Sequence, residues 1–183
     1  MIACTDVHYG ETQGVAACLL FRHWSDDSPC LEVTEPIEQP VPYEPGRFYR
    51  RELPGLLSVI GRLVERPRVI VIDGYVWLGD EFHPGLGAYL YEAVGGTAAV
   101  IGVAKTLFQQ GPAVRAIKRG KSSRPLYVTA AGMDLNEAAQ DVVELHGEFR
   151  IPTLLKKVDR LSRRNEGNKG DKSNYCDAPR PAR

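Results

Sequence analysis

Long hydrophobic runs are missing from this chain: none of its 183 residues falls in an apolar stretch approaching the roughly 20 that cross a bilayer. A membrane-spanning helix is therefore not expected. Met1 leads directly into Ile2-Ala3-Cys4-Thr5-Asp6, without the basic-then-apolar order of a secretory signal, so the expectation is a soluble, cytoplasmic protein that is a monomer and takes no membrane partner. Cysteine is scarce too. Cys4, Cys18, Cys30 and Cys176 form no C-x-x-C pair, and no His stands at zinc-finger spacing, which favours buried or free thiols over disulfides or a zinc site. Internal repeats are absent. So is any excess of charge, since 23 Lys+Arg balance 23 Asp+Glu.

That balance is not uniform along the chain. Residues 1–100 carry 7 basic and 14 acidic side chains, whereas residues 101–183 carry 16 and 9. A basic second half could contact phosphates while an acidic first half holds metal ligands. Charge alone fits two oppositely charged solvated faces equally well.

With 43% hydrophobic and 25% charged residues, the chain is long enough for one α/β core and too short for two ordinary domains. Ile2–Tyr9, Gly14–Trp24 and Leu31–Glu38 read as three meandering strands. Leu53, Leu56, Leu57, Ile60, Leu63 and Val64 recur at helical spacing until Pro67. Val69–Asp73 and Ala98–Ala104 are short apolar runs of the kind buried in parallel sheets, with a helix over Leu86–Val94 between them. A basic ribbon, Ala113–Lys121, is expected to pair with Pro125–Ala130. Beyond it lie a helix through Leu135–His146, opened by a capping box at Asp134-x-x-Glu137, and a last basic helix near Leu154–Leu161. One domain over 1–162 is expected, followed by a basic, disordered tail at 163–183.

Three features carry the chemistry. The first is Pro42-Tyr43-Glu44-Pro45-Gly46 followed by Arg51-Glu52-Leu53-Pro54, an aromatic ring held between prolines just ahead of a carboxylate. The second is the strand-like Arg68-Val69-Ile70-Val71-Ile72-Asp73-Gly74, which together with Asp6 offers carboxylates at strand ends. The third is Gly102-Val103-Ala104-Lys105, which should deliver an ammonium to a strand end. Each has an ordinary reading: a turn after Asp73, a helix N-terminus for Glu52, a strand edge for Asp6, an exposed lysine, a Pro-Tyr surface turn.

In this order and with these flanks, the set resembles the endonuclease V family, over roughly Ile2 to Asp159. The later Arg150-Ile151-Pro152-Thr153 and Asp159 look like the family's closing segment, and a helical segment usual before the first strand is missing. The resemblance implies an α/β, ribonuclease H-like fold with a mixed central β-sheet flanked by helices. It implies a Mg²⁺-dependent endonuclease, with Mn²⁺ as the alternative metal, that recognises inosine in DNA, with RNA as a second candidate. The family reaction hydrolyses a phosphodiester 3′ to the lesion and serves DNA repair. By the same match, Asp6, Glu52 and Asp73 would hold metal, Lys105 would screen a phosphate oxygen, and His83 of His83-Pro84 would join the catalytic group. Tyr43, with Pro42, Pro45 and Gly46, would form the wedge that fills the gap left by an extruded base. The loop Tyr75–Phe82 is longer than usual. Where the family has Gly-His after the late strand, this chain reads Ala131-Gly132-Met133-Asp134, and methionine can neither carry a proton nor ligate hard Mg²⁺. Asp134 reads first as a helix N-cap. The rival reading is a nucleic-acid-binding protein of the same fold with weak or lost cleavage.

Overall fold

A computed structural model describes residues 1–10, 13–37, 47–79 and 82–164. The chain opens with the meander β1 (Ile2–Tyr9), β2 (Gly14–Phe21) and β3 (Leu31–Ile37). It continues through α1 (Phe48–Gly61), β4 (Val69–Asp73), the two-residue strands β5 (Trp77–Leu78) and β6 (His83–Pro84), and α2 (Leu86–Ala93). The remaining elements are β7 (Ala99–Ala104), β8 (Arg115–Ile117), β9 (Leu126–Ala131), α3 (Leu135–Glu144) and α4 (Thr153–Arg163). Seven strands form one sheet in the order β3-β2-β1-β4-β7-β9-β8. The centre, β1-β4-β7, is parallel and both flanks are antiparallel. The expected mixed sheet flanked by helices is therefore what forms.

Alternation along the strands sends successive side chains to two separate cores. Ala3, Ala16, Cys18, Ile70, Ile72 and Val100 face Leu56, Val59 and Leu90 of α1 and α2. Cys4, Ala17, Leu19, Val71, Ile101 and Val128 face Ala138, Val142, Leu154 and Val158 of α3 and α4. The sheet is covered on both sides, so its central strands read as continuous apolar runs rather than alternating ones. Cys4 and Cys18 are free and fully buried, and burial pushes the Cys18 thiol up to about 12.

Several boundaries move. The first helix begins at Phe48 rather than near Leu53 and carries Pro54 inside it. The apolar stripe that announced the helix marks only the part that packs on the sheet. Its earlier turn is held by other contacts: Arg51 lies 3.8 Å over the Tyr9 ring, and the Tyr9 hydroxyl donates to the Arg51 carbonyl. Val64, counted in the stripe, lies beyond the helix and is exposed. β2 stops at Phe21, and Trp24 instead packs edge-on against that ring. α3 ends at Glu144, so His146 belongs to the next loop, where its Nδ1 lies 3.0 Å from Thr153 Oγ1. The tail from residue 165 falls outside the described residues, and α4 runs to Arg163, just past the expected domain boundary. Among the described residues, no helix is long and apolar enough to cross a membrane.

Candidate active site

Parallel pairing of β1 with β4 runs from Ile2↔Val69 to Thr5↔Ile72, so the next residue on each strand is a carboxylate: Asp6 beside Asp73. Both lie on the face covered by α4. The next parallel neighbour, β7, ends at Ala104 and delivers Lys105 to the same edge, where its Nζ is 2.6 Å from Asp73 Oδ2. Both partners are close to half exposed, so the pair contributes at most about 1 kcal/mol to stability. Burial opposes the charge on Lys105, but the hydrogen bond and charge of Asp73, backed by Asp159 and Asp6, outweigh it and raise the pKa.

A glycine makes this edge possible. After Asp73 the chain turns at Gly74 (φ 138°) and crosses over β7 at Gly102, where a Cβ would stand 2.6 Å from the Gly74 carbonyl oxygen. Val76 N donates to Thr129 Oγ1 at 2.8 Å and Trp77 Nε1 to the Ala130 carbonyl at 2.9 Å. The long loop after Asp73 is thus anchored to β9, two strands away.

Asp6, Asp73 and Lys105 open into a cleft of about 940 Å³ between the sheet edge, α4 and the loops at 120–122 and 148–151. Burial, more than anything else, weakens the acidity of Asp6; Asp73 and Asp159 add repulsion, while Ser162 and Lys105 counter it. Glu52 sits in the other layer. It is 7% exposed on α1 and does not line the cleft, yet its carboxyl is raised to about 8, first by burial, then by Asp6 and Asp73, with Arg51 opposing. Because Arg51 stacks on Tyr9 at the end of β1, Glu52 is held near enough to Asp6 to feel its charge.

Two residues of this site were not singled out as site residues from the sequence. Asp159 on α4 lines the cleft and acts electrostatically on Asp6 and Lys105. Ser162, one turn later and buried, places its hydroxyl 2.5 Å from Asp6 Oδ2. Their i, i+3 spacing was visible, but only the docking of α4 on β1 shows that this helix face points at Asp6. Arg150 also matters, since its Nη2 donates to the Lys105 carbonyl and, at 2.7 Å, to that of Pro125.

Other expected site residues are elsewhere. His83 pairs with Leu78 in the small β5-β6 ribbon, is exposed, and does not line the cleft. Tyr43, Pro42, Pro45 and Gly46 lie outside the described residues. Met133 is half-buried against the core shared with α3 and α4. Asp134 caps α3, its Oδ1 accepting from Asn136 N at 2.8 Å and Glu137 N at 3.1 Å.

Residues 1–116 match the model of the endonuclease V family. Endonuclease V of Rhodospirillum centenum is 32% identical over 134 residues, 62% of this chain and 55% of that protein. Endonuclease V of Streptomyces avermitilis is 30% identical over 156 residues, 73% of this chain and 66% of that one. The chain therefore spans less than two thirds of the length of either relative. A crystal structure of the Streptomyces avermitilis protein superposes with a TM-score of 0.71 at 26% identity, covering 89% of this chain and 79% of that one. A Ciona intestinalis endonuclease V in complex with a 24mer DNA containing an inosine followed by a ribo-adenosine shares the fold, with a TM-score of 0.69 at 20% identity over 88% of this chain and 84% of that one. The fold is thus ribonuclease H-like, and with more than half of its length matched by the family model, the chain belongs to the endonuclease V family.

Proposed function

We propose that the protein is a divalent-metal-dependent endonuclease that recognises inosine in DNA, with RNA as a second candidate, and hydrolyses a phosphodiester 3′ to the lesion in DNA repair. The observation that carries this reading is the meeting of Asp6, Asp73 and Lys105 at one sheet edge, in a cleft that Asp159 also lines, with Glu52 near enough in the other layer for its carboxyl to be raised by both aspartates. A complex of inosine-containing DNA with a protein of the same fold supports the choice of substrate. The active domain is proposed to span 1–162.

Whether a metal suits this edge follows from its donors. Among the described residues, no three His, Cys, Asp or Glu side chains form a ready-made cage. Asp73 and Asp159 nonetheless raise the pKa of Asp6, and Asp6 and Asp73 that of Glu52, with Lys105 only partly compensating at Asp6, so the edge is short of positive charge. Hard oxygen donors in that state fit Mg²⁺ or Mn²⁺. Asp6 and Asp73 would hold the ion, with Glu52 as the proposed third carboxylate and Asp159 beside them. When bound, such an ion activates water and neutralises charge on the phosphate. Ser162 holds Asp6 in orientation, and Arg150 fixes the backbone of Lys105, whose ammonium is aimed at the same edge. Tyr43 is the proposed wedge and His83 a proposed outer member of the catalytic group.

One observation favours the rival reading of binding with weak cleavage: Met133 is packed against the core and Asp134 is committed to capping α3. Neither supplies the missing imidazole. Matched oligonucleotides with and without inosine, incubated with Mg²⁺ or EDTA, separate the two. Metal-dependent nicking confined to the inosine strand is expected; tight inosine binding with no nicking at any Mg²⁺ concentration would establish the rival.

A further inference from the structure

The cleft continues well past its carboxylates. Its lining also includes Lys121 in the loop between β8 and β9, Phe149 in the loop between α3 and α4, and Lys156 on α4. Phe149 is 69% exposed. An isolated exposed ring needs no explanation, but this one stands on an unusually well-fixed backbone. Arg119, itself buried, donates from Nη1 to the Phe149 carbonyl at 2.9 Å, from Nη2 to Gly147 O at 3.1 Å and to Leu145 O, and from Nε to Val143 O at 3.3 Å. Gly120 (φ 56°) approaches the Glu148 carbonyl so closely that a Cβ would lie 2.0 Å from it. A guanidinium and a glycine contact therefore bind the two loops together beneath an exposed phenyl ring.

The surroundings of the ring are cationic. Lys121 and Lys156 line the same cleft and form no ion pair among the described residues, whereas the neighbouring Lys157 is paired with Glu32. Glu148 is the acidic exception here. An aromatic face sharing a cleft with unpaired ammonium groups, continuous with the carboxylate edge, matches a nucleic-acid strand whose bases are free to stack.

We propose that this part of the cleft is a subsite for an unpaired nucleobase, stacked on Phe149 with its flanking phosphates on Lys121 and Lys156. The subsite rests on the nucleic-acid reading of the same cleft. Every base offers a π-face, so the subsite is indifferent to sequence; a base inside a duplex has both faces covered, so it prefers single strands. Arg119 is a positioning residue that spares the ring the entropy of ordering on binding.

The test uses fluorescence anisotropy in EDTA, so that no strand is cut, on the full chain. The probes are a short oligothymidylate, an abasic strand with the same number of phosphates, and a blunt duplex. Wild type should bind the thymidylate more tightly than the abasic strand. Phe149→Ala should weaken thymidylate binding by about tenfold while leaving the abasic strand, the duplex and the salt slope unchanged, and Phe149→Trp should restore affinity. Lys121→Ala should weaken both single strands and reduce the salt slope by about 0.7. Thermal unfolding of Phe149→Ala should match wild type, because the ring is exposed. Equal thymidylate affinity in wild type and Phe149→Ala would overturn the subsite, as would equal losses on thymidylate and abasic strands. Inosine-specific nicking that persists in that case leaves the main reading standing; a working subsite without inosine-specific nicking sinks the main reading alone.

Discussion

Two groups of carboxylates in this protein each weaken the acidity of a member, Asp141 in one and Asp6 and Glu52 in the other, and they are built in opposite ways. On α3, Glu137, Asp141 and Glu144 follow one another at helical spacing, and Asp141 is raised from 3.8 to about 6, by burial first and then by its two neighbours. At the sheet edge, Asp6, Glu52 and Asp73 come from three elements far apart in sequence, yet influence one another and Lys105. A shifted pKa is thus common to both. What separates them is the company: the α3 group shares one solvated helix face, whereas Asp6 and Asp73 open into a cleft with a lysine and a buried serine turned towards them. Convergence of distant elements marks a site better than perturbation does.

The sharpest way to break the comparison is to neutralise one member of each group. Asp73→Asn should lower Mg²⁺-dependent nicking of an inosine oligonucleotide by about 10³-fold, with the thermal midpoint lowered by no more than about 2–4 °C, since relief of repulsion offsets part of the lost ion pair to Lys105. Glu137→Gln should leave nicking unchanged. Undiminished cleavage by the Asp73 variant at limiting Mg²⁺ would remove that carboxylate from the metal site.

A smaller effect is expected for Ser162→Ala, which deletes a donor to Asp6 and leaves every carboxylate in place. Calorimetric titration should show Mg²⁺ affinity weakened by about tenfold, with circular dichroism unaltered; unchanged affinity would make Ser162 a packing residue only. Asp134→Ala should act on stability alone. Losing the α3 cap should lower the melting temperature by about 2–4 °C, and a loss of nicking by still-folded protein would show that Asp134 has a chemical role.

The least effect belongs to Asp141. Its folded pKa is above its unfolded value, so between about pH 4 and 6 the folded chain keeps a proton that the unfolded chain releases. That stabilisation is complete below pH 4 and is lost as pH rises through 6. Asp141→Asn should flatten this part of the melting-temperature profile by a degree or two, about what a solvent-screened group can supply. A profile identical to wild type would remove Asp141 as its source.

Sequence reading went furthest where structure is local. β1, β4, α2 and β7 were legible within a residue or so, because short apolar runs bounded by glycine, proline or charge leave little choice of element. Asp6, Asp73 and Lys105 were legible as strand-end groups for the same reason, and their meeting at one edge needed only the parallel order of three strands. Periodicity could not say that α1 starts five residues early, because that turn is held by Arg51 on Tyr9 rather than by an apolar stripe. It could not reveal the small ribbon that carries His83 either, since two-residue strands leave no pattern. Asp159 was legible only as part of the closing segment, and Ser162 not at all, because their relation to Asp6 exists only once α4 lies across β1.

That last contact has a consequence for timing. Asp6 and Ser162 are 156 positions apart, and α4 supplies one wall of the cleft, so the strand bearing the first carboxylate must wait for the final described helix before the edge is complete. Contacts of such long range close late and slowly. During synthesis, a nascent chain with its meander already paired still has half a cleft, and the proposed power to cut would arrive together with the last step of folding.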